Sequence, residues 1–306
     1  MSHQHWSSYW NTGAQTSLPT DFKNNYDGAI YDWWQQRVNS LPNNSTVLDV
    51  CTGNGAVALL MAEIAVQHNK TFQITAVDIS KINTQSILKN HASEITSQIN
   101  FISDCPLESI NAYIKNQQAM IVSQFGLEYT DLTITAPLLY DLLSAEGELD
   151  FIAHSANSAV FQTMATEDNI YKWLESIGVF DIIRQFNQQK ISVNGLKNKI
   201  MTVVKNNQPD HTALRQPLLQ SWQKTLSTLL KLPNIQVKRQ MPQLREFLSQ
   251  HIAAWQRAQD MVQVAKKLSH DNWVNPLITA NFIESEKKPL IYNNKYTVGH
   301  GYRFHK

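Results

Sequence analysis

Hydrophobic positions along this chain fall into two rhythms. Up to about residue 155, short apolar runs near 46–50, 72–78, 98–103, 119–125 and 148–153 alternate with amphipathic stretches near 55–67, 80–92, 107–117 and 131–144. The stretch 55–67 places Val57, Leu60, Met61 and Ile64 at i, i+3, i+4 and i+7, one face of a helix. Strands alternating with helices predict a parallel sheet wrapped by helices on both faces. From 157 to about 270 the periodicity is helical throughout. One stripe carries Ile170, Trp173, Leu174 and Ile177 and stops at Gly178. A second carries Leu214, Leu218, Trp222, Leu226 and Leu229, and a third carries Leu244, Phe247, Leu248, Trp255, Val262 and Leu268. Such stripes are core rather than cofactor boxes. They exceed the roughly dozen residues that a crossover between parallel strands requires. The expectation is a helical lid or substrate region at 157–275, inserted over the carboxyl edge of a sheet domain built from 41–156 and 276–306. Strand-like runs at 278–284 and 296–304 predict a closing antiparallel hairpin, with Val298, His300, Tyr302 and Phe304 on one face.

Residues 1–40 hold Trp6, Tyr9, Trp10, Phe22, Tyr26, Tyr31, Trp33 and Trp34, an aromatic density that a disordered tail would not carry. They predict an N-terminal cover. It is either an arm packed on the sheet or a segment that folds over a bound ligand.

The chemistry gathers at the ends of the predicted strands. Val47-Leu48-Asp49-Val50-Cys51-Thr52-Gly53-Asn54-Gly55-Ala56 runs from a strand through a glycine turn into a helix, which lets a ligand lie against backbone. Asp78 ends the second run, 23 positions after Gly55. That is close to the ~20-residue spacing at which a carboxylate reaches ribose hydroxyls. Asp104 ends the third run, and Ser123-Gln124-Phe125-Gly126 ends the fourth. Gly53-Asn54-Gly55-Ala56-Val57-Ala58 also fits a dinucleotide fingerprint, so an NAD(P)-dependent oxidoreductase stays open. Asp49 argues against that reading, because a carboxylate at the strand end would repel a pyrophosphate while accepting from an ammonium or from amides.

With these residues in place, the chain resembles the class I S-adenosylmethionine-dependent methyltransferases, whose glycine motif joins an acidic residue to G-x-G-x-G. Asp49 to Gly55 matches that motif except at Cys51 and Thr52, Cys51 standing where the family has its first glycine. The resemblance spans about 45–155 and the terminal strands. It implies a Rossmann-like, doubly wound, mostly parallel α/β sheet with S-adenosyl-L-methionine as cofactor. It further implies that residues 51–55, Cys51, Thr52, Gly53, Asn54 and Gly55, hold the methionine part, with Asp49 also cofactor-binding, Asp78 on the ribose and Ile79 on adenine. Asp104 and Cys105 would line the adenine pocket, and Gln124 would lie near the transferred methyl. Bases for the acceptor are sought at strand ends, where Glu128, Tyr129 and His154 stand, with His300 a further candidate. Ser-Gln-Phe-Gly after the fourth run is not the Asn/Asp-Pro-Pro-Tyr that the family uses on exocyclic amines of DNA bases or on protein glutamine.

Composition adds limits. With 42% hydrophobic and 17% charged residues, the chain reads as globular. No run approaches the ~18 apolar residues of a membrane span. No secretory signal is visible at the first residues, and Cys51 and Cys105 suggest no disulfide framework, so a cytoplasmic location is the default expectation. No Cys or His spacing implies a metal. Residues 1–150 carry 6 basic against 15 acidic side chains, and 151–275 carry 15 against 8. Either the two halves attract each other, or a basic wall faces an acidic substrate. Without a recognition motif among the scattered positive charges, no nucleic acid is expected. The expected partner is a small molecule, acidic or aromatic. A catalytically silent protein of the same fold, binding a partner through its basic helices, is the alternative of another class.

Overall fold

The computed structural model describes residues 4–18, 22, 24–209, 213–293 and 295–306, leaving aside the side chain of Leu88. It divides into two compact units, one formed by 1–158 with 263–306 and the other by 159–262.

The first unit opens with helices α1 (Gln4–Trp10) and α2 (Gly28–Ser40), followed by β1 (Thr46–Val50), α3 (Ala56–Gln67) and β2 (Gln73–Val77). Two short helices, α4 (Thr84–Asn90) and α5 (Ser93–Thr96), lead to β3 (Ile99–Ile102). Then come β4 (Gln118–Gln124), α6 (Leu132–Leu142) and β5 (Leu143–His154). In the second unit, α7 (Ala159–Ser176), α8 (Val179–Asn187), α9 (Val193–Asn206), α10 (Pro217–Lys231) and α11 (Asn234–Arg239) precede the long α12 (Met241–Leu268), whose last residues, 263–268, belong to the first unit. The chain returns to the first unit for α13 (Asn275–Thr279), β6 (Ile283–Tyr292) and β7 (Tyr296–His305).

The seven strands lie in the order β3-β2-β1-β4-β5-β7-β6. The first five are parallel, and β7 is antiparallel to both β5 and β6. This is a Rossmann-like, mostly parallel sheet closed by an antiparallel hairpin. Because β1 is followed by β2 on one side and β4 on the other, the strand order reverses beside the glycine turn, where open α/β sheets form their ligand crevice. Helix α3 is buried along most of its length, Ala56 through Ala62 included, as expected for a helix with apolar residues on every side. The second unit has a core of its own, in which Ile170, Leu174, Trp222, Leu226, Leu229, Leu244 and Leu248 are buried together. Its helical stripes are therefore packing surfaces.

Two boundaries differ from the sequence expectation. Strand β6 covers 283–292 rather than 278–284, and 275–279 are helical. Asn275-Pro276 begins a helix, since proline suits its first turn. β6 is an edge strand whose Lys287, Lys288 and Pro289 mask its apolar alternation. The expected helix at 107–117 is a 3₁₀ segment over 107–112, interrupted at Ser109.

The N-terminal aromatics do not form one cover. Helix α2 is part of the scaffold, with Ile30, Trp33, Trp34 and Val38 fully enclosed and Arg37 buried beside them. Arg37 donates from Nε to Asp150 Oδ1 at 2.7 Å and from Nη2 to Glu286 Oε2 at 2.6 Å. Trp33 lies against Gly301, where an added Cβ would come within 2.6 Å of the indole. The segment 4–18, by contrast, reaches across the carboxyl ends of the strands.

Candidate functional site

Asp49 sits one residue before the end of β1 and is buried. Its Oδ2 accepts from Thr52 Oγ1 at 2.5 Å and from the Ala58 amide at 3.1 Å, which ties the strand end to the first turn of α3. Its Oδ1 has no hydrogen-bond partner among the described residues. Burial is the main force on this carboxyl and pushes its pKa up to about 7, against the pull of the Thr52 and Ala58 hydrogen bonds. The turn itself uses left-handed backbone at Gly53 (φ 57°) and at Gly55 (φ 77°), which caps α3.

Asp78 follows β2 and is also buried. Its Oδ2 accepts from the Gly53 amide at 2.8 Å and its Oδ1 from the Ser80 amide at 2.7 Å. The carboxylate thus braces the glycine turn against the next strand, a task that no sequence spacing announces. Ile79 beside it is half-buried. Cys105 is buried and its amide donates to Asp78 O at 2.9 Å, while the Asp104 side chain is exposed at the rim. Burial raises the Cys105 thiol to about 11, and burial together with the surrounding carboxylates raises Cys51 well above its usual range. Neither thiol is activated as a nucleophile.

Gln124 ends β4 and is oriented from behind. The Trp34 indole N–H donates to Gln124 Oε1 at 2.6 Å. An indole can only donate, so the amide nitrogen must point the other way. That Nε2 faces the Tyr26 hydroxyl and makes no hydrogen bond of normal geometry among the described residues. Asp49, Cys51, Thr52, Gln124 and Phe125 line a cavity of about 30 Å³ together with Trp10, Gln15, Ser17 and Tyr26. Cys51, Asp104 and Phe125, which follow β1, β3 and β4, have φ values of 58°, 54° and 53°. Left-handed backbone at such residues is uncommon and gathers at functional sites.

A second cluster adjoins the first. His154, the last residue of β5, and Glu128, just after β4, are both buried. Glu128 Oε1 lies 2.7 Å from His154 Nδ1 and accepts from the His154 amide at 3.0 Å. A carboxylate accepts only, so the ring presents its Nδ1–H to Glu128. Lys267 Nζ fixes the turn by donating to the carbonyls of Glu128 at 3.0 Å and Thr130 at 2.9 Å. The Phe125 ring stands 4.3 Å from the imidazole and connects the two clusters. Tyr129 meets the imidazole at 6.3 Å. His300 is half-buried on β7 opposite Ala153 and is not among the residues lining the cavity.

Asn54, within the stretch 51–55 expected on the methionine part, has its side chain engaged by the N-terminal segment and the Asn83 amide. Its Nδ2 donates to Trp10 O at 2.9 Å and Ala14 O at 2.8 Å, and its Oδ1 accepts from the Asn83 amide at 3.1 Å. It stands between two glycines, the one side chain at the tip of the turn.

No family model matches the chain, and no curated protein does. Solved structures similar to part of it include a putative S-adenosylmethionine-dependent methyltransferase from Listeria monocytogenes, at 20% identity over 42% of this chain and 54% of that one, TM-score 0.32. Another is a geranyl diphosphate C-methyltransferase from Streptomyces coelicolor A3(2), at 11% identity over 42% and 44%, TM-score 0.33. A putative rRNA methylase from Clostridium thermocellum aligns at 13% identity over 45% and 78%, TM-score 0.35. This chain therefore spans about half the length of the first two. Likenesses of this size identify neither a substrate nor a reaction.

Proposed function

We propose that this chain is an S-adenosylmethionine-dependent methyltransferase acting on a small-molecule acceptor, with His154 as general base. The observation that carries the reading is the buried Asp49 Oδ1, which accepts no hydrogen bond among the described residues and belongs to a residue lining the same cavity as Gln124. Left unpaired, that acceptor costs on the order of 1–3 kcal/mol, so a ligand that donates to it gains by entering. An α-amino acid terminus has the matching charges, with its ammonium for Asp49 and its carboxylate for Gln124. A pyrophosphate has nothing to offer Asp49, which weighs against the dinucleotide reading.

The remaining residues fit the same cofactor. Thr52, Gly53 and Gly55 supply the turn, Cys51 packs beneath it, and Asp78, Ile79, Asp104 and Cys105 take the nucleoside side. When bound, S-adenosylmethionine supplies an electrophilic methyl group. The protein then has to align the acceptor and exclude water, which supplies roughly 7–11 kcal/mol in favourable cases. Glu128 holds the His154 ring in one tautomer, so that Nε2 can take a proton from an acceptor O–H or N–H. As that proton arrives, Glu128 stabilises the imidazolium.

Transfer of a labelled methyl group to a panel of phenols, alcohols and amines tests this reading. His154→Gln should lower kcat by on the order of 10²–10⁴ while S-adenosylhomocysteine still binds. Unchanged turnover in that variant removes His154 from the chemistry. Cofactor binding without turnover on any acceptor favours the silent-binder alternative.

A further inference from the structure

The segment 4–18 occupies the surface on which the proposed cofactor would lie. Trp10 packs so closely on Gly53 that an added Cβ would stand 2.4 Å from the indole Cζ2. Asn54 clasps the same segment through the carbonyls of Trp10 and Ala14, and Gln15 Nε2 donates to Asn54 O at 3.0 Å. The Lys81 amide, three residues after Asp78, donates to Ser7 Oγ at 3.2 Å. Trp6 meets Tyr129 edge-on at 5.4 Å, so the arm also covers the approach to His154. The cavity left beneath measures about 30 Å³. That holds roughly one or two waters, far less than an amino acid joined to a nucleoside.

We propose that this arm is a plug, with Trp10 standing in for the ligand over Gly53, and that the cofactor binds only after Trp10 has left. The inference rests on the cofactor reading above. Its physical basis is the way the arm is held. Helix α1 has seven residues, too few for a helix to persist by itself, and Trp6, Tyr9 and Trp10 are only partly buried. Although His5 and Ser7 are buried, the contacts named above are hydrogen bonds and ring edges outside the strand ladder, so breaking them leaves the sheet paired. Affinity for the cofactor is then the intrinsic affinity multiplied by the fraction of molecules with the arm released. The same release uncovers Tyr129 and His154, which couples cofactor entry to acceptor access.

Calorimetric titration with S-adenosylhomocysteine tests the plug in three proteins: the full chain, Trp10→Ala and a deletion of residues 1–13. The deletion covers the case in which Trp10→Ala alone misfolds the arm. The plug predicts at least fivefold tighter binding in both altered proteins. It also predicts that the ligand changes tryptophan fluorescence in the full chain more than in Trp10→Ala. Equal or weaker binding in the altered proteins overturns the plug and makes Trp10 a wall of the loaded site, while leaving the cofactor reading intact. No binding by any of the three removes the plug and the cofactor reading together.

Discussion

Two aromatic segments precede the first strand, and they are built differently. Helix α2 encloses Trp33 and Trp34 completely and fixes its buried Arg37 between Asp150 and Glu286. The arm around α1 carries as many large rings but leaves Trp6, Tyr9 and Trp10 partly exposed, held by edges and by the Asn54 clasp. Aromatic content alone does not say which segment is scaffold and which can move. Enclosure of the rings and pairing of buried charge do, because local opening is cheapest where little apolar surface is lost. Helix α2 also reaches the site through Trp34, which turns the Gln124 amide toward the cavity, so the rigid segment aims a group that the looser one covers.

The comparison is broken most forcefully at Trp33. Trp33→Ala should cost about 3–5 kcal/mol of stability, the range for deleting a fully buried large ring. Trp6→Ala should cost less than about 1 kcal/mol, since its ring is partly exposed. Denaturant unfolding of the two variants measures both losses. Equal losses would make the arm as integral to the fold as α2.

A smaller effect sharpens the comparison at the floor of the cavity. The Asp49 carboxyl is raised to about 7 in the folded protein, against an unfolded value of 3.8, so the folded chain binds the extra proton between those limits. Stability from this group is therefore present at low pH and lost as pH rises from about 4 to 7. Over three pH units the loss is on the order of a few kcal/mol. Asp49→Asn should flatten the parent's decline in that window, as followed by unfolding at several pH values. Asp150 is raised to about 6 by burial, outweighing Arg37, and contributes a similar slope that both proteins share. A slope unchanged by Asp49→Asn would mean that Asp49 titrates normally.

Much of the sheet was legible because each of the first five strands is a short apolar run bounded by polar or glycine signals. β6 was not, since charge and proline on an edge strand erase the alternation that marks a half-buried one. At the candidate site, Asp49, Gly53, Asp78 and Gln124 were legible as candidates from their places at or beside strand ends. Their partners were not. The Asp78 brace on Gly53 joins positions 25 apart, and the Trp34–Gln124 bond joins positions 90 apart. Glu128 and His154 were separate candidates in the sequence, and only the adjacency of β4 and β5 brings them within 2.7 Å. Distances of that kind are set by sheet order, which no local pattern records.

The central claim is that the glycine turn between β1 and α3 holds S-adenosylmethionine, and calorimetry tests it most directly. Titrating the full chain with S-adenosylhomocysteine should give binding in the micromolar range, whereas NAD(H) should give none. Asp78→Ala should weaken the binding by on the order of 1.5–3 kcal/mol for each hydrogen bond lost, with some loss of stability because the Gly53 brace goes with it. Binding of NAD(H) in place of S-adenosylhomocysteine, or S-adenosylhomocysteine binding indifferent to Asp78, would contradict the account.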